Sequence, residues 1–533
     1  MKKYFLLILF GFLSLSAKEA PKQKLILFIS VDQMRADYLE RYSQYYTGGL
    51  KRLREQSKNF VNADLNYATS ETGPGHATLG TGSYPHRSGI VSNDWIDRET
   101  MKSMYCVADS TAEKVDGIGG GFSAKNLLVD GLGDWLKKAS PKSKVIGISN
   151  KDRAAILMSG KHPDFAFWYD GKNDAMVTSA YYTKSLPKWV KDFNAQDWAE
   201  KNVPDAWIKI LPEKEYDKIG PDNFFAERQT DGSSSFPHPF TKGKKGTEIT
   251  GTPWGDKLLT DFALEAITHE KLSKRGVVDL LCVSFSSCDY VGHGYGPDSH
   301  EMMDYLIQLD RTLGKFFNDI ENLVGKDGYI VALSADHAGC PLPEFNSQMN
   351  GVDAVRFSYK ELIKPAFDSL AKKLKKELHS DEEILTRNGY INYAKASALG
   401  FDSSAIEAKI RYGILSWKIY PEIYFRREME SQSPTEKLFM QKYRNSYLAS
   451  RCKDFQLRIK ENSIVSSNST GTTHGSPYLY DTHIPVVFWW NSVKPEKILD
   501  EAHSADIAPT IARFFGFSFP KEIDGKVLTE IFQ

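Results

Sequence analysis

Five short runs of nearly unbroken apolar residues punctuate the chain: KLILFISV (24–31), KVIGIS (144–149), VVDLLCVSF (277–285), GYIVALS (328–334) and IPVVFWW (484–490). Runs of this length, rich in Val, Ile and Leu and lacking polar alternation, fit strands buried on both faces. Between them lie stretches with apolar residues at helical spacing, such as GDKLLTDFALEAITHEKL (255–272) and SHEMMDYLIQLDRTLGKFFNDI (299–320). Buried strands alternating with such helices predict an α/β fold, with a mostly parallel central sheet flanked by helices. Two regions break the rhythm. Residues from about 160 to 250 are rich in Trp, Tyr, Pro, Gly and Lys, and those from about 340 to 470 carry the charged run FDSLAKKLKKELHSDEE, the pattern of a solvated helix face. Both are expected to be insertions that cap the sheet's active edge within a single domain spanning 18–533.

The first residues, MKKYFLLILFGFLSLSAKEA, place two lysines before an apolar run from Phe5 to about Leu15, followed by Ser16 and Ala17. That is the layout of a secretory signal, and the run is short for a membrane span. A signal peptide over 1–17 is therefore expected, with export to the periplasm or beyond and no membrane span in the mature chain. Lysine plus arginine number 68 and aspartate plus glutamate 68 among 533 residues, a formal net charge of zero. Nothing in that balance suggests a nucleic-acid-binding surface, so an anionic ligand would need local charge or a metal. The five cysteines (Cys106, Cys282, Cys288, Cys340 and Cys452) lack the paired spacing of a structural zinc site and cannot all pair, leaving one or two disulfides open. The sequence leaves the oligomeric state open, with a monomer favoured.

Chemistry enters at the strand ends. Three of the apolar runs end in an aspartate: Asp32 in ISVDQM, Asp289 in VSFSSCDYVGHG and Asp336 in ALSADHAG. One such Asp is ordinary turn chemistry. In an open α/β sheet, however, the carboxyl ends of the strands line the ligand crevice, and three carboxylates there repel one another unless a cation sits among them. Histidines stand nearby: His293 four residues after Asp289, His337 beside Asp336, and His474 in GTTHGSPY before the last apolar run. Carboxylates and imidazoles without thiolates fit zinc or a similar divalent ion in a catalytic site.

The stretch SETGPGHATLGTGSYP (70–85) adds a hydroxyl. Pro74 suits the first turn of a helix, and Thr72 just before it reads either as a cap for orphan N–H groups or as a nucleophile at the helix's positive end. The Gly-rich GIGGG (117–121) follows no strand and lacks dinucleotide spacing, so it reads as a loop.

Asp32, then TGPGH around Thr72, DYVGHGYGP, DH and THG, in this order along the predicted sheet core, resemble the alkaline phosphatase superfamily. The segment SNKDRAAI is similar to that of the bacterial phosphate-irrepressible alkaline phosphatases with a threonine nucleophile. The resemblance implies two zinc ions, one held by Asp289, His293 and His474, the other by Asp32, Asp336, His337 and the Thr72 oxygen. It implies Thr72 as the nucleophile that becomes phosphorylated, and Asn93, Lys151 and Arg153 as donors to the phosphoryl oxygens. Lys151 would stand where relatives with a third, magnesium site place carboxylates, while His76 and His483 would play supporting parts away from the metals. Phosphate monoesters of small molecules are the implied substrates. A phosphodiesterase or nucleotide pyrophosphatase of the same superfamily would share Thr72 and both metal sites, and the Lys151/Arg153 pair is what distinguishes a monoester dianion. A non-catalytic metal-binding protein of the cell envelope is the reading from a different class.

Overall fold

The computed structural model describes residues 21–229, 233–386 and 389–533, so the expected signal peptide at 1–17 lies outside the described residues. Nine strands form one sheet: β1 (Leu25–Val31), β2 (Lys58–Asp64), β3 (Val145–Ser149), β4 (Phe165–Asp170), β5 (Ala175–Val177), β6 (Asp279–Phe285), β7 (Tyr329–Ser334), β8 (Val486–Trp489) and β9 (Glu496–His503). Their spatial order is β9-β2-β8-β7-β1-β6-β3-β4-β5. The five strands from β7 to β4 run parallel, and β8 and β5 lie antiparallel to their neighbours. This is the mostly parallel α/β sheet that the apolar runs predict. β1, β6 and β7 are buried along their whole length, which is why they read as unbroken apolar stretches.

Helices flank the sheet: α1 (Thr72–Thr81), α2 (Asp152–Ser159), α3 (Pro253–His269), α4 (Ser287–Tyr295) and α5 (His300–Val324). The region read as a first insertion begins with β4 and β5, both part of the central sheet. In the second, α6 (Lys364–Glu377) and α7 (Ser403–Leu415) pack with the antiparallel strand pair Glu422–Phe425/Phe455–Arg458 around Phe367, Leu370, Ile410, Ile414 and Ile423, an apolar cluster separate from the sheet's core. The charged run is one amphipathic helix: Phe367, Leu370 and Leu374 are buried while Lys372, Lys373 and Lys376 face solvent. A later segment of this region reaches the sheet edge, where the Ala68 amide donates to Lys442 O (3.1 Å) and Ser446 Oγ (2.8 Å), four residues before Thr72. All five cysteines are buried and free, so the disulfides left open by the sequence do not form.

Register decides where the acids emerge. Val31 pairs with Phe285, Ser30 with Ser334, and Ser284 with Ser149. Asp32, Asp289, Asp336 and Lys151 therefore leave four adjacent parallel strands at the same edge, the crevice side of an open α/β sheet.

Candidate active site

Three buried carboxylates and one buried ammonium form the centre. Lys151 Nζ lies 2.7 Å from Asp32 Oδ2 and 2.6 Å from Asp289 Oδ2, tying the ends of β1 and β6 to the loop after β3. The second oxygen of Asp32 and of Asp289, Oδ1, faces the imidazoles. Asp289 and His293 sit one turn apart on α4, with His293 Nε2 3.2 Å from Asp289 Oδ1, and His474 Nε2 lies 3.6 Å from the same oxygen. His337 Nε2 lies 3.5 Å from Asp32 Oδ1 and 3.4 Å from Asp336 Oδ2.

Each of these three imidazoles is oriented through its other nitrogen. His293 Nδ1 meets Thr472 O at 2.8 Å, His337 Nδ1 meets Ala338 O at 2.9 Å, and His474 Nδ1 meets Ser70 O at 2.6 Å. A carbonyl accepts only if Nδ1 carries the proton, and that bond turns Nε2 inward, as metal-binding histidines are commonly fixed. His76, by contrast, spends both nitrogens, on Thr72 O (2.9 Å) and Ser284 Oγ (2.7 Å), and flanks Asp336 Oδ2 at 3.3 Å. His483 is turned away, its Nε2 on Val61 O at 2.9 Å.

The donor set fits divalent cations. Ligand atoms of Asp32, Asp336 and His337 lie within 4.8 Å of one another, as do those of Asp289, His337 and His474. Asp32 Oδ1, Asp336 Oδ2 and His337 Nε2 are buried without a hydrogen-bond partner. Each such unmet polar atom costs about 1–3 kcal/mol, and three aimed at one spot are what a cation would satisfy. Electrostatics agrees. Burial and the neighbouring Asp336 push Asp32 well above the usual carboxylate range despite Lys151 beside it. Burial also opposes ionisation of Asp289, but His293 and Lys151 outweigh it and hold that carboxyl well below its ordinary value. Burial, His337 and His293 together keep His474 far below the usual imidazole value, so its ring is neutral.

Thr72 turns out not to be a cap. It is the first residue of α1, with Glu71 in the extended N-cap position and no side-chain cap bond there. The Glu71 carboxylate instead accepts from Ser92 Oγ and the Asn93 amide, both at 2.7 Å, and Asn93 Oδ1 accepts from the Gly73 N–H at 2.7 Å. Asn93 thus satisfies the helix start from a distant loop and frees the Thr72 hydroxyl. That hydroxyl receives Arg153 Nη2 at 3.3 Å. Arg153 Nη1 is held by the Tyr105 hydroxyl (3.2 Å), which itself donates to Asp152 Oδ1 at 2.5 Å. Gly75 lets α1 press on the strand end opposite: a Cβ there would lie 2.4 Å from Asp336 O.

One residue at the centre had no signal in the sequence beyond its place after Asp32. Gln33 adopts a left-handed backbone, φ 65°. Its amide N–H donates to Asp336 Oδ1 (3.2 Å) and its Nε2 to Asp289 Oδ1 (2.7 Å), so it spans both carboxylate groups. Gly292 and Gly339 leave room for it, since a Cβ at Gly292 would fall 1.8 Å from Gln33 Oε1. Those two glycines were the only hint of a close approach.

With this geometry in place, comparison with known proteins is specific. Residues 26–475 match the model of the type I phosphodiesterase / nucleotide pyrophosphatase family. The chain belongs to this family, within the alkaline phosphatase superfamily. Relatives in the superfamily match along nearly their whole length. Alkaline phosphatase PafA from Elizabethkingia meningoseptica is 33% identical over 99% of this chain and 99% of its own. A Myroides odoratus protein named calcium-transporting ATPase is 35% identical over 98% and 97%, and alkaline phosphatase PhoV from Synechococcus elongatus is 34% identical over 96% and 93%. The crystal structure of wild-type PafA superposes with a TM-score of 0.89 at 32% identity, covering 97% of this chain and 100% of that one. A second PafA structure carries substitutions of a threonine, an asparagine, a lysine and an arginine. Among the described residues, no helix is long and apolar enough to cross a membrane.

Proposed function

We propose that this protein is an exported, zinc-dependent alkaline phosphatase that hydrolyses phosphate monoesters through a phosphothreonine at Thr72. One observation carries the reading. The Thr72 hydroxyl at the start of α1 is freed from capping by Asn93 and bonded by Arg153, two residues from the lysine that bridges Asp32 and Asp289. The four residue types replaced in the second PafA structure are those found, in the same chain order, at Thr72, Asn93, Lys151 and Arg153.

Two sets of ligands would hold the cations: Asp32, Asp336, His337 and Thr72 on one side, and Asp289, His293 and His474 on the other. Divalent cations there supply Lewis acidity for the attacking and leaving oxygens of an in-line displacement. The chain's own groups do the rest. The N-terminus of α1 presents Thr72 Oγ1 with its positive end toward the incoming dianion. Arg153 can turn two parallel N–H donors to the phosphoryl oxygens, and Lys151, with two of its three protons on carboxylates, retains one. Attack by Thr72 Oγ1 forms the P–O(Thr) bond as the P–O bond to the alcohol breaks, and the alcohol leaves with a proton. Water then attacks phosphorus, releasing inorganic phosphate and returning a proton to Thr72.

The second reading, a phosphodiesterase, draws on the description of the matched family model. A diester has an organic group where the monoester has a charged oxygen, so the pair formed by the buried Lys151 and the half-buried Arg153 favours the monoester. The deciding experiment is an acid quench of wild type and Thr72→Ala with a labelled monoester. Label retained on Thr72 in wild type and absent in the variant is expected, whereas turnover unaffected by Thr72→Ala overturns the mechanism.

A further inference from the structure

The start of α5 repeats, outside the catalytic centre, the arrangement found within it. His300, the first residue of α5, is 2% exposed, and its Nε2 donates to Gly220 O at 2.9 Å. That bond fixes the ring and turns Nδ1 toward Asp222 Oδ1, 3.2 Å away. Lys209 Nζ lies 2.5 Å from Glu213 Oε1 and 3.1 Å from Asp222 Oδ2, and the Phe236 amide donates to the latter oxygen at 3.2 Å. Here too a lysine takes one oxygen of each of two carboxylates, and an imidazole held by a carbonyl faces another. Lys209 is kept in place by Tyr216 and Phe236, whose ring centroids lie 5.2 and 5.4 Å from its Nζ.

Asp222 Oδ1 and His300 Nδ1 do not align as acceptor and donor: both are buried without a hydrogen-bond partner despite their short separation. None of the catalytic steps above uses either. Each unmet atom costs about 1–3 kcal/mol, and two that converge on a third point are satisfied together by a cation placed there. The spacing suits one, since two ligands about 2.0–2.1 Å from a tetrahedral zinc lie about 3.3 Å apart. Ligand atoms of Glu213, Asp222 and His300 lie within 4.8 Å of one another, so a second carboxylate is in reach. Lys209 offsets one of the two negative charges and leaves the other for the ion. One imidazole nitrogen with two carboxylates fits zinc or a similar first-row ion, whereas calcium and magnesium take oxygen alone. Glu213, its side chain 60% exposed, opens the remaining position to water.

We propose that Glu213, Asp222 and His300 form an accessory zinc site, separate from the catalytic pair, that clamps the segment between β5 and α3 to the first turn of α5. The same helix already holds that segment one turn on, where Asp304 Oδ1 accepts from the Tyr216 hydroxyl at 2.5 Å and Oδ2 from Trp207 Nε1 at 2.6 Å. An ion at His300 extends this seam, and its binding free energy adds to the stability of the fold. It supplies nothing to phosphoryl transfer.

The test counts zinc per chain by elemental analysis after dialysis against a series of buffered free zinc concentrations, in wild type, Glu213→Gln and His300→Ala. Wild type is expected to bind one ion more than His300→Ala, a difference that does not depend on how fully the catalytic centre is loaded. In Glu213→Gln that ion is expected to need at least about 10-fold more free zinc, while turnover of a phosphate monoester at saturating zinc stays within about twofold of wild type. Should His300→Ala fail to fold, Glu213→Gln decides, because that side chain is exposed and keeps its length. A zinc curve for Glu213→Gln that superposes on wild type overturns the site and leaves Lys209 and a protonated His300 to hold the carboxylates. Loss of the ion together with turnover also overturns it, since the ion counted would then belong to the catalytic pair. A wild type without phosphatase activity would defeat the phosphatase reading and leave the zinc count to judge this one.

Discussion

Replacing Gln33 tests whether the two carboxylate groups act as one unit. Gln33 sits in the left-handed region at φ 65°, a conformation that costs a residue with a Cβ about 1–2 kcal/mol. Its return is a 2.7 Å bond from Nε2 to Asp289 Oδ1 and a 3.2 Å bond from its backbone N–H to Asp336 Oδ1. A hydrogen bond to a charged group contributes about 1.5–3 kcal/mol, or about 10- to 100-fold in an equilibrium constant. Gln33→Ala removes the side-chain bond, keeps the backbone one, and frees Asp289 to rotate. The zinc dissociation constant is expected to rise about 10- to 100-fold, the usual scale for losing an orienting partner of a metal ligand. Competition titration against a chromophoric chelator measures this directly, and kcat at saturating zinc should fall much less. Gly292→Ala attacks the same contact from the other side, because its Cβ would lie 1.8 Å from Gln33 Oε1 and must displace the side chain. In the Gln33→Ala background that clash partner is gone, so Gly292→Ala should then cost little; strictly additive losses, or unchanged zinc affinity in Gln33→Ala, would refute the coupling.

Arg153→Ala should lower kcat/KM for a monoester at least about 10-fold more than for a diester, because a charged oxygen loses a charge-assisted donor; equal losses would favour the diesterase reading. Stripping divalent ions should lower the thermal midpoint, and zinc at 100 times its dissociation constant should restore about 2.7 kcal/mol at 25 °C; a midpoint indifferent to zinc would contradict a cation among the acids. Gly75→Ala should destabilise by about 1–3 kcal/mol and reduce turnover together, since a Cβ 2.4 Å from the Asp336 carbonyl meets backbone that no rotamer change can move, and both unfolding and kcat report it. Burial raises Asp481 from near 3.8 to about 7. Across that window the folded chain keeps a proton that the unfolded chain has released, so this stability is full below about pH 4 and is lost as pH rises through about 7. Asp481→Asn should therefore flatten the fall of the thermal midpoint over that range, and an unchanged slope would mean that the carboxyl titrates normally.

What could be read from the sequence follows from what each residue answers to. The central strands were legible because burial on both faces demands apolar residues at every position, and β1, β6 and β7 meet that demand in full. β9 was not, since EKILDEAH exposes most of its residues at the sheet's edge, and three-residue β5 is too short to show a period. β4, FAFWYD, was hidden by its aromatic surroundings. The acids at the crevice were legible for a topological reason: parallel strands in register deliver their C-terminal neighbours to one place, so three Asp residues far apart in sequence imply one cluster. Cap and nucleophile stay undivided at Thr72 in the sequence because the capping rule is local, whereas Asn93 reaches the helix start from a loop 20 residues away from Gly73. Gln33 shares that property. It stands beside a legible residue, Asp32, and what it can do is set by groups brought near only by folding, the carboxylates of Asp289 and Asp336.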